Sequence, residues 1–378
     1  MSDPAAWIDE EPLQRFTHQC FLKAGVDADD ARRATDVLLW ATVRGVDTHG
    51  IRNLKSYYID SVGGVGRRDG VIRHDAKLEL EQDSDTTAAL CAHGALGLAV
   101  ATRAMELAME KAEVHGVGMV TVRNSTHFGA AGYYAYQAVA RDMIGFASTG
   151  YLFPNGQPKA VVPFGGLLPM LSTNPIAMAF PTLAEAPFVL DMSTSVVPVN
   201  RIEMLQERNQ PMPLGWALDK LHHGTTDPEQ VDKVVPLGGA VEHGGHKGYG
   251  LALASWIMTG LLSGAWREDP IPDRVLGATP ETRNGFAQEG IGHVFAAVRL
   301  DRFGDPETFK RGIDSMIRTM NESPPAPGFE RVEVPGQREQ RTAELRRRDG
   351  IPLPASTLQM LESLSEEFQL PLEFRRPG

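Results

Sequence analysis

Thr86-Thr87-Ala88-Ala89-Leu90-Cys91-Ala92 and Val117-Gly118-Met119-Val120-Thr121-Val122, with residues 97–115 between them, decide the fold of this chain. The two quoted runs are short, apolar and edged by turn residues, which is how a buried strand reads. Residues 97–115 carry apolar side chains at helical spacing instead. The alternation continues downstream: 130–141 reads as a helix, 144–149, 176–181, 188–192 and 293–300 as strands, and 306–321 as a helix. Upstream, residues 12–23 and 28–43 have helical spacing, the second with Asp27 placed to cap it, and this lobe reads as all-helical. Gly63-Gly64-Val65-Gly66 marks the change of pattern. The Pro-rich run Glu322-Ser323-Pro324-Pro325-Ala326-Pro327-Gly328 sets off a charged tail with helical potential at 337–348 and 356–368.

Composition narrows the function classes. A chain of 378 residues, 42% hydrophobic and 22% charged, can build a large core and two lobes. Its formal net charge of -11 argues against a sequence-independent grip on nucleic acid, which needs a basic surface to displace counterions. Cys20 and Cys91 stand far apart, so neither a disulfide framework nor a thiolate zinc site is expected. His222, His223, His243 and His246 lie in polar loops without metal-ligand spacing. The acidic start, with Asp3, Asp9, Glu10 and Glu11, lacks the pattern of a secretory signal, and a cytoplasmic protein is expected. Residues 248–266 are uncharged but rich in Gly, Ala, Ser and Thr, and read as a core helix rather than a membrane span.

Two histidines stand in chemically dense runs, Arg44-Gly45-Val46-Asp47-Thr48-His49-Gly50 and Asn124-Ser125-Thr126-His127-Phe128-Gly129. Each sets an imidazole, the side chain suited to moving a proton near neutral pH, among small, flexible and polar residues. His49 is the first candidate for an acid/base and His127 the second. The plainer alternatives are a turn residue capping the next helix for His49 and a loop histidine bonded to backbone for His127.

These runs are followed in order by Pro163-Phe164-Gly165-Gly166, Thr173-Asn174-Pro175, Asp191-Met192-Ser193-Thr194-Ser195, Gly215-Trp216-Ala217-Leu218-Asp219 and Lys247-Gly248-Tyr249-Gly250-Leu251. The series resembles the malate/L-lactate dehydrogenase family, which includes L-sulfolactate and ureidoglycolate dehydrogenases and cyclic imino acid reductases. The resemblance implies an α+β, non-Rossmann, L-sulfolactate dehydrogenase-like fold. It comprises a mixed-sheet NAD(P)-binding and catalytic domain over 73–308 and a helical, dimerising domain made of 1–72 and 309–378. The absence of a GxGxxG after a strand agrees with that. It also implies a homodimer, NAD or NADP as cofactor, and a small carboxylate substrate, with no nucleic acid, membrane or metal involved.

Roles follow from the same resemblance. Asp191 would pair with His49 and hold its tautomer. Thr173, Asn174, Asp191, Met192 and Ser193, then Gly336, Gln337 and Arg338 would contact the cofactor, and Lys247, a cation after the flexible Gly244-Gly245-His246 loop and ahead of an apolar helix, suits a cofactor phosphate. The Asp191 run reads as a strand end entering a helix, where free N–H groups receive phosphate or simply take an N-cap; Gly336–Arg338 also reads as a solvated face. Arg44 is expected to clamp the substrate carboxylate, with a salt bridge to Asp47 as the alternative. Two departures bear on this. Asn53 stands where relatives carry Arg, with Arg52 displaced by one residue, and Asn200-Arg201 replaces a Gly-Lys pair. Tyr151-Leu152-Phe153-Pro154 is bulky where the nicotinamide pocket is expected. The activity implied is reversible oxidation of a 2-hydroxyacid to a 2-oxoacid; reduction of a cyclic imine such as pyrroline-2-carboxylate is the second expectation, and a non-catalytic binding protein the third.

Overall fold

A computed structural model describes residues 4–63, 72–153, 156–266 and 291–376. Gly64, Val65 and Gly66 of the glycine turn, and Pro154, lie outside these described residues. The chain opens with strand β1 (Ala6–Ile8) and helices α1 (Glu10–Lys23) and α2 (Ala28–Val43). Asp27 caps α2, accepting from the N–H groups of Asp29 and Asp30 at 3.0 and 3.1 Å, a bond set worth about 1 kcal/mol. Strands β2 (Glu79–Asp83) and β3 (Thr87–Cys91) lead to helix α3 (Gly97–His115), strand β4 (Val117–Arg123) and helix α4 (Ala131–Gln137). Strands β5 (Met143–Gly150), β6 (Ile176–Phe180) and β7 (Phe188–Met192) precede helix α5 (Val199–Glu207). After the short strands β8 (Ala217–Leu218), β9 (Gly224–Thr225) and β10 (Lys233–Val234) come helix α6 (Gly245–Trp256) and strand β11 (Gly292–Arg299). Helices α7 (Pro306–Asn321) and α8 (Gln337–Asp349), strand β12 (Ile351–Leu353) and helix α9 (Ala355–Phe368) complete the described chain.

The main sheet has the order β2-β3-β4-β11-β5-β6-β7. β3 and β4 run parallel and the other neighbours antiparallel, so the sheet is mixed. Helix α3 lays its buried Ala101, Ala104, Ala108 and Ala112 over β4 and β11, and α4 lies on β5 and β6. Gly118 of β4 and Gly145 of β5 make this close approach possible: a Cβ on either would run into a helix carbonyl, Ala108 or Ala135. On the opposite face, given by strand alternation, α6 and the wider helical turns Ile257–Leu262 pack against β4, β5 and β11.

Two expectations are corrected. The N-terminal lobe is not all-helical, because β1 pairs antiparallel with β12, burying Ala6 and Ile8 beside Ile351 and Leu353. Residues 248–266 are not core all round: Ala252, Ser255 and Thr259 are buried, but Leu251, Ile257, Leu261 and Leu262 are exposed. One apolar core runs from Phe16 and Leu38 through Met105 and Tyr134 to Leu361, and a smaller one gathers Val161, Leu171, Ile202, Val234 and Ala252. No helix among the described residues is long and apolar enough to cross a membrane.

Candidate active site

Strand register sets the place of the site. Gly292 pairs with Gly150, His293 with Val122 and Thr149, and Ile176 with Ser148 and Met192. The ends of β4, β5 and β7 and the starts of β6 and β11 therefore meet along one edge of the sheet. A cavity of about 360 Å³ opens there, lined by His49, Tyr57, His127, Thr149, Tyr151, Phe153, Lys159, Thr173, Asn200 and Glu203 among others. It brings both candidate histidines into one space, their rings 5.9 Å apart and within 13° of parallel.

Each ring is held by its own loop. The His127 Nδ1 receives the Gly129 N–H at 3.3 Å and lies 2.8 Å from the Tyr58 hydroxyl, while the Tyr57 ring meets it edge-on at 5.1 Å. With donors converging on Nδ1, the neutral ring carries its proton on Nε2. His49 Nδ1 lies 3.0 Å from the Thr48 hydroxyl. The Thr48 carbonyl accepts from two amides, Asn53 Nδ2 at 2.9 Å and Asn200 Nδ2 at 2.6 Å, and Asn200 Oδ1 accepts from the Tyr57 hydroxyl at 2.8 Å. Both departures from the family pattern thus close on the carbonyl just before His49. Replacing Asn200 with Ala is expected to destabilise the fold by about 1 to 3 kcal/mol, since Tyr57 loses a partner and Thr48 half of its own. Urea titration checks that. Turnover should fall about tenfold as His49 loosens.

Withdrawal from water holds His49 at about 4, and holds His127 at about 3 with the help of its histidine neighbours His49 and His293. Both are neutral at pH 7, fit to accept or donate one hydrogen bond each rather than to carry charge. The folded values lie below the ordinary 6.5, so the unfolded chain binds protons first. These rings therefore subtract stability as pH falls from about 6.5 towards 4.

Several site expectations meet different geometry. Asp191 does not face His49: its carboxylate accepts from the Gly132 N–H at 2.9 Å, serving the start of α4, where Ala130 cannot cap. One side of Asp191 stays open to solvent, yet the crowding of protein around it pushes its carboxyl up to about 6, with the charge of Glu339 adding to this against the pull of Gly132. Arg44 does not line the cavity. It closes α2 with its guanidinium over Trp40 and Tyr136, 4.9 and 5.3 Å from the ring centres, and donates to Gln340 Oε1 and the Gly336 carbonyl. Its alternative partner Asp47 is taken by Arg346. Arg52 forks onto Glu207 at 2.6 and 2.9 Å beside a separate, smaller cavity.

The cofactor candidates are spread over the same region. Thr173 lines the cavity. Asn174 is buried, at φ 36°, and its amide is engaged by Tyr151 N–H, the Ser172 hydroxyl and the Ala252 carbonyl, so it shapes the wall instead of facing a ligand. Met192 ends β7, and Ser193 bonds to the Ser195 carbonyl in a bent, non-helical run; the helix expected there begins only at Val199, after Pro198. Lys247 is exposed on the first turn of α6. Gly336 starts α8 against β7, with Val189 N–H donating to Pro335, while Gln337 takes the Val334 N–H and Arg338 is exposed. Among the described residues no group of three His, Cys, Asp or Glu could hold a metal. Tyr57, Lys159 and Glu203 were not singled out by sequence; Tyr57 and Glu203 sit at helical positions that resemble any half-buried residue, and Lys159 sits in a loop with no motif.

A nicotinamide fits this cavity on its own features. The volume, about 360 Å³, is near the lower end for small-molecule sites and would hold a nicotinamide ring with a small acid. Thr173 and the two imidazoles offer hydrogen bonds, and Pro175, Ile291 and Phe128 give flat apolar wall.

Comparison with known proteins agrees. The family model described as malate/L-lactate dehydrogenase matches residues 8–362. The chain is 36% identical over 364 residues to the malate dehydrogenase of Pyrococcus horikoshii, covering 95% of this chain and 94% of that one. It is 35% identical over 352 residues to the L-sulfolactate dehydrogenase of Methanocaldococcus jannaschii, covering 93% and 94%. The crystal structure of malate dehydrogenase from Entamoeba histolytica superposes with a TM-score of 0.86 at 32% identity, over 97% of this chain and 99% of that one. Matched along nearly its whole length, the chain belongs to the malate/L-lactate dehydrogenase family.

Proposed function

We propose that this protein is an NAD(P)-dependent oxidoreductase interconverting a small 2-hydroxyacid and its 2-oxoacid, acting as a homodimer in the cytoplasm. The observation that carries the reading is the pair of neutral imidazoles 5.9 Å apart in one cavity. The names of the relatives, malate and L-sulfolactate dehydrogenase, support the substrate class. When bound, the nicotinamide exchanges a hydride with the carbon bearing the substrate oxygen. The protein's share is to orient the acid and move one proton. His49 serves as the proton acceptor in the oxidising direction, with its Nδ1 side engaged by Thr48. His127, protonated on Nε2, donates a hydrogen bond to the same oxygen. Thr173, Ser193, Lys247 and Gly336–Arg338 are the proposed dinucleotide contacts, Asp191 and Met192 shaping the wall between them.

The test follows absorbance of NADH and of NADPH with the purified protein against oxaloacetate, pyruvate, sulfopyruvate, larger 2-oxoacids and pyrroline-2-carboxylate. Consumption with an open-chain oxoacid is expected, and it identifies the cofactor. Reaction with the cyclic imine alone would make the protein a reductase, and cofactor binding without turnover a binding protein. For hydroxyacid oxidation, kcat/KM is expected to stay flat from pH 8 to below 6, because it reports the free-enzyme base, held at about 4. An acid limb centred near 6.5 would show that an ordinary imidazole does the work.

A further inference from the structure

An acid substrate needs a cation, and the arginines near the histidine loop already have partners. Arg44 is turned beneath Gly336 and Gln340, and Arg52 grips Glu207. Of the lysines and arginines among the described residues, the one lining the histidine cavity is Lys159. Its ammonium meets no hydrogen-bond or ion-pair partner among the described residues. Its backbone stands at φ 65°, a left-handed conformation rare for lysine and held at a cost. The surroundings impose it: Lys159 N–H donates to the Asp232 carbonyl at 2.7 Å, Val161 N–H to Leu171 at 2.7 Å, and Val234 N–H to Ala160 at 3.0 Å. A strained backbone braced on both sides thus sets a lysine with no ion-pair partner among the described residues in the lining of the cavity. Glu203 also lines this cavity, its carboxylate in an ion pair with Arg52 at 3.7 Å that is looser than the 2.6 Å bond of Arg52 to Glu207.

Resting on the oxidoreductase reading, we infer that Lys159 takes the substrate carboxylate and that Glu203 turns away a second one. The substrate class is then monocarboxylic 2-hydroxy- and 2-oxoacids rather than dicarboxylates. An ammonium is a compact point charge that accepts one anionic group without demanding a planar fork. A second carboxylate in so small a cavity would stand near Glu203 and be repelled.

The test uses the full chain and oxamate, an unreactive monocarboxylate shaped like pyruvate, titrated by calorimetry with and without NADH. Alongside it, KM is measured for pyruvate and for oxaloacetate. Wild-type protein is expected to bind oxamate and to prefer pyruvate. Lys159→Gln should weaken oxamate and raise the pyruvate KM by about 10- to 100-fold, the worth of one charge-assisted bond, with NADH affinity unchanged. Lys159→Arg should restore most of the loss, which also shows that the fold survives change at this position. Glu203→Gln should raise oxaloacetate use relative to pyruvate by about tenfold. Unchanged oxamate affinity in Lys159→Gln, loss of NADH binding in its place, absence of oxamate binding in the wild type, or a wild-type preference for oxaloacetate would each overturn the inference. Oxamate binding that depends on Lys159 in a protein with no turnover would sink the oxidoreductase reading and leave the anion site standing.

Discussion

Replacing His49 with Ala is expected to lower kcat for hydroxyacid oxidation by about 100- to 10,000-fold, the usual contribution of a positioned acid/base, while NADH still binds. Among the described residues the ring is hydrogen-bonded to Thr48 alone, so its loss leaves the surrounding turn intact: Ile51 N–H still reaches the Thr42 hydroxyl, and Asp47 still pairs with Arg346. Steady-state kinetics with a fluorescence titration of NADH separates the two effects. His127→Ala is a harsher change, because Tyr58 and the Gly129 N–H both lose their acceptor. If turnover survives in the His49 variant and disappears in the other, the proton acceptor is His127.

The second large effect is structural. Gly118→Val should destabilise the protein by about 3 kcal/mol or more, at or beyond the upper end of ordinary overpacking. A Cβ there collides with the Ala108 carbonyl and stands 2.9 Å from Lys111 Cβ, and a helix with five buried alanines has little room to move aside. Urea unfolding reads the loss. A fall under 1 kcal/mol would mean that α3 slides on the sheet more easily than its contacts imply.

How much of this was legible in the sequence depends on length and periodicity. Helix α3 and strand β7 fall where spacing places them, and Asp27 caps α2, because each is long enough or chemically marked. Strand β2 escaped notice because all five of its residues are exposed and it reads as a charged loop. Strands β1 and β12 are three residues each, too short to show a period. Helix α5, which carries Asn200 and Glu203, was hidden behind a serine-rich run that looked like its own start. Both histidines can be singled out because their motifs are local, and the structure places them in one cavity. Arg44 was misplaced because which way a residue at the end of a helix turns is decided by partners some 290 positions away, and no local pattern encodes that.

The pairing of β1 with β12 also bears on the order in which the molecule can be made. Segments made early wait for others made much later: Ala6 meets Leu353, Trp7 meets Arg375, and the turn holding His49 is braced by Arg346. Helices α1 and α2 can form as they appear, but their register against the rest stays open until α8 and β12 have been made. A nascent chain stalled before Arg346 would therefore hold both histidines without the ion pair that braces the His49 turn.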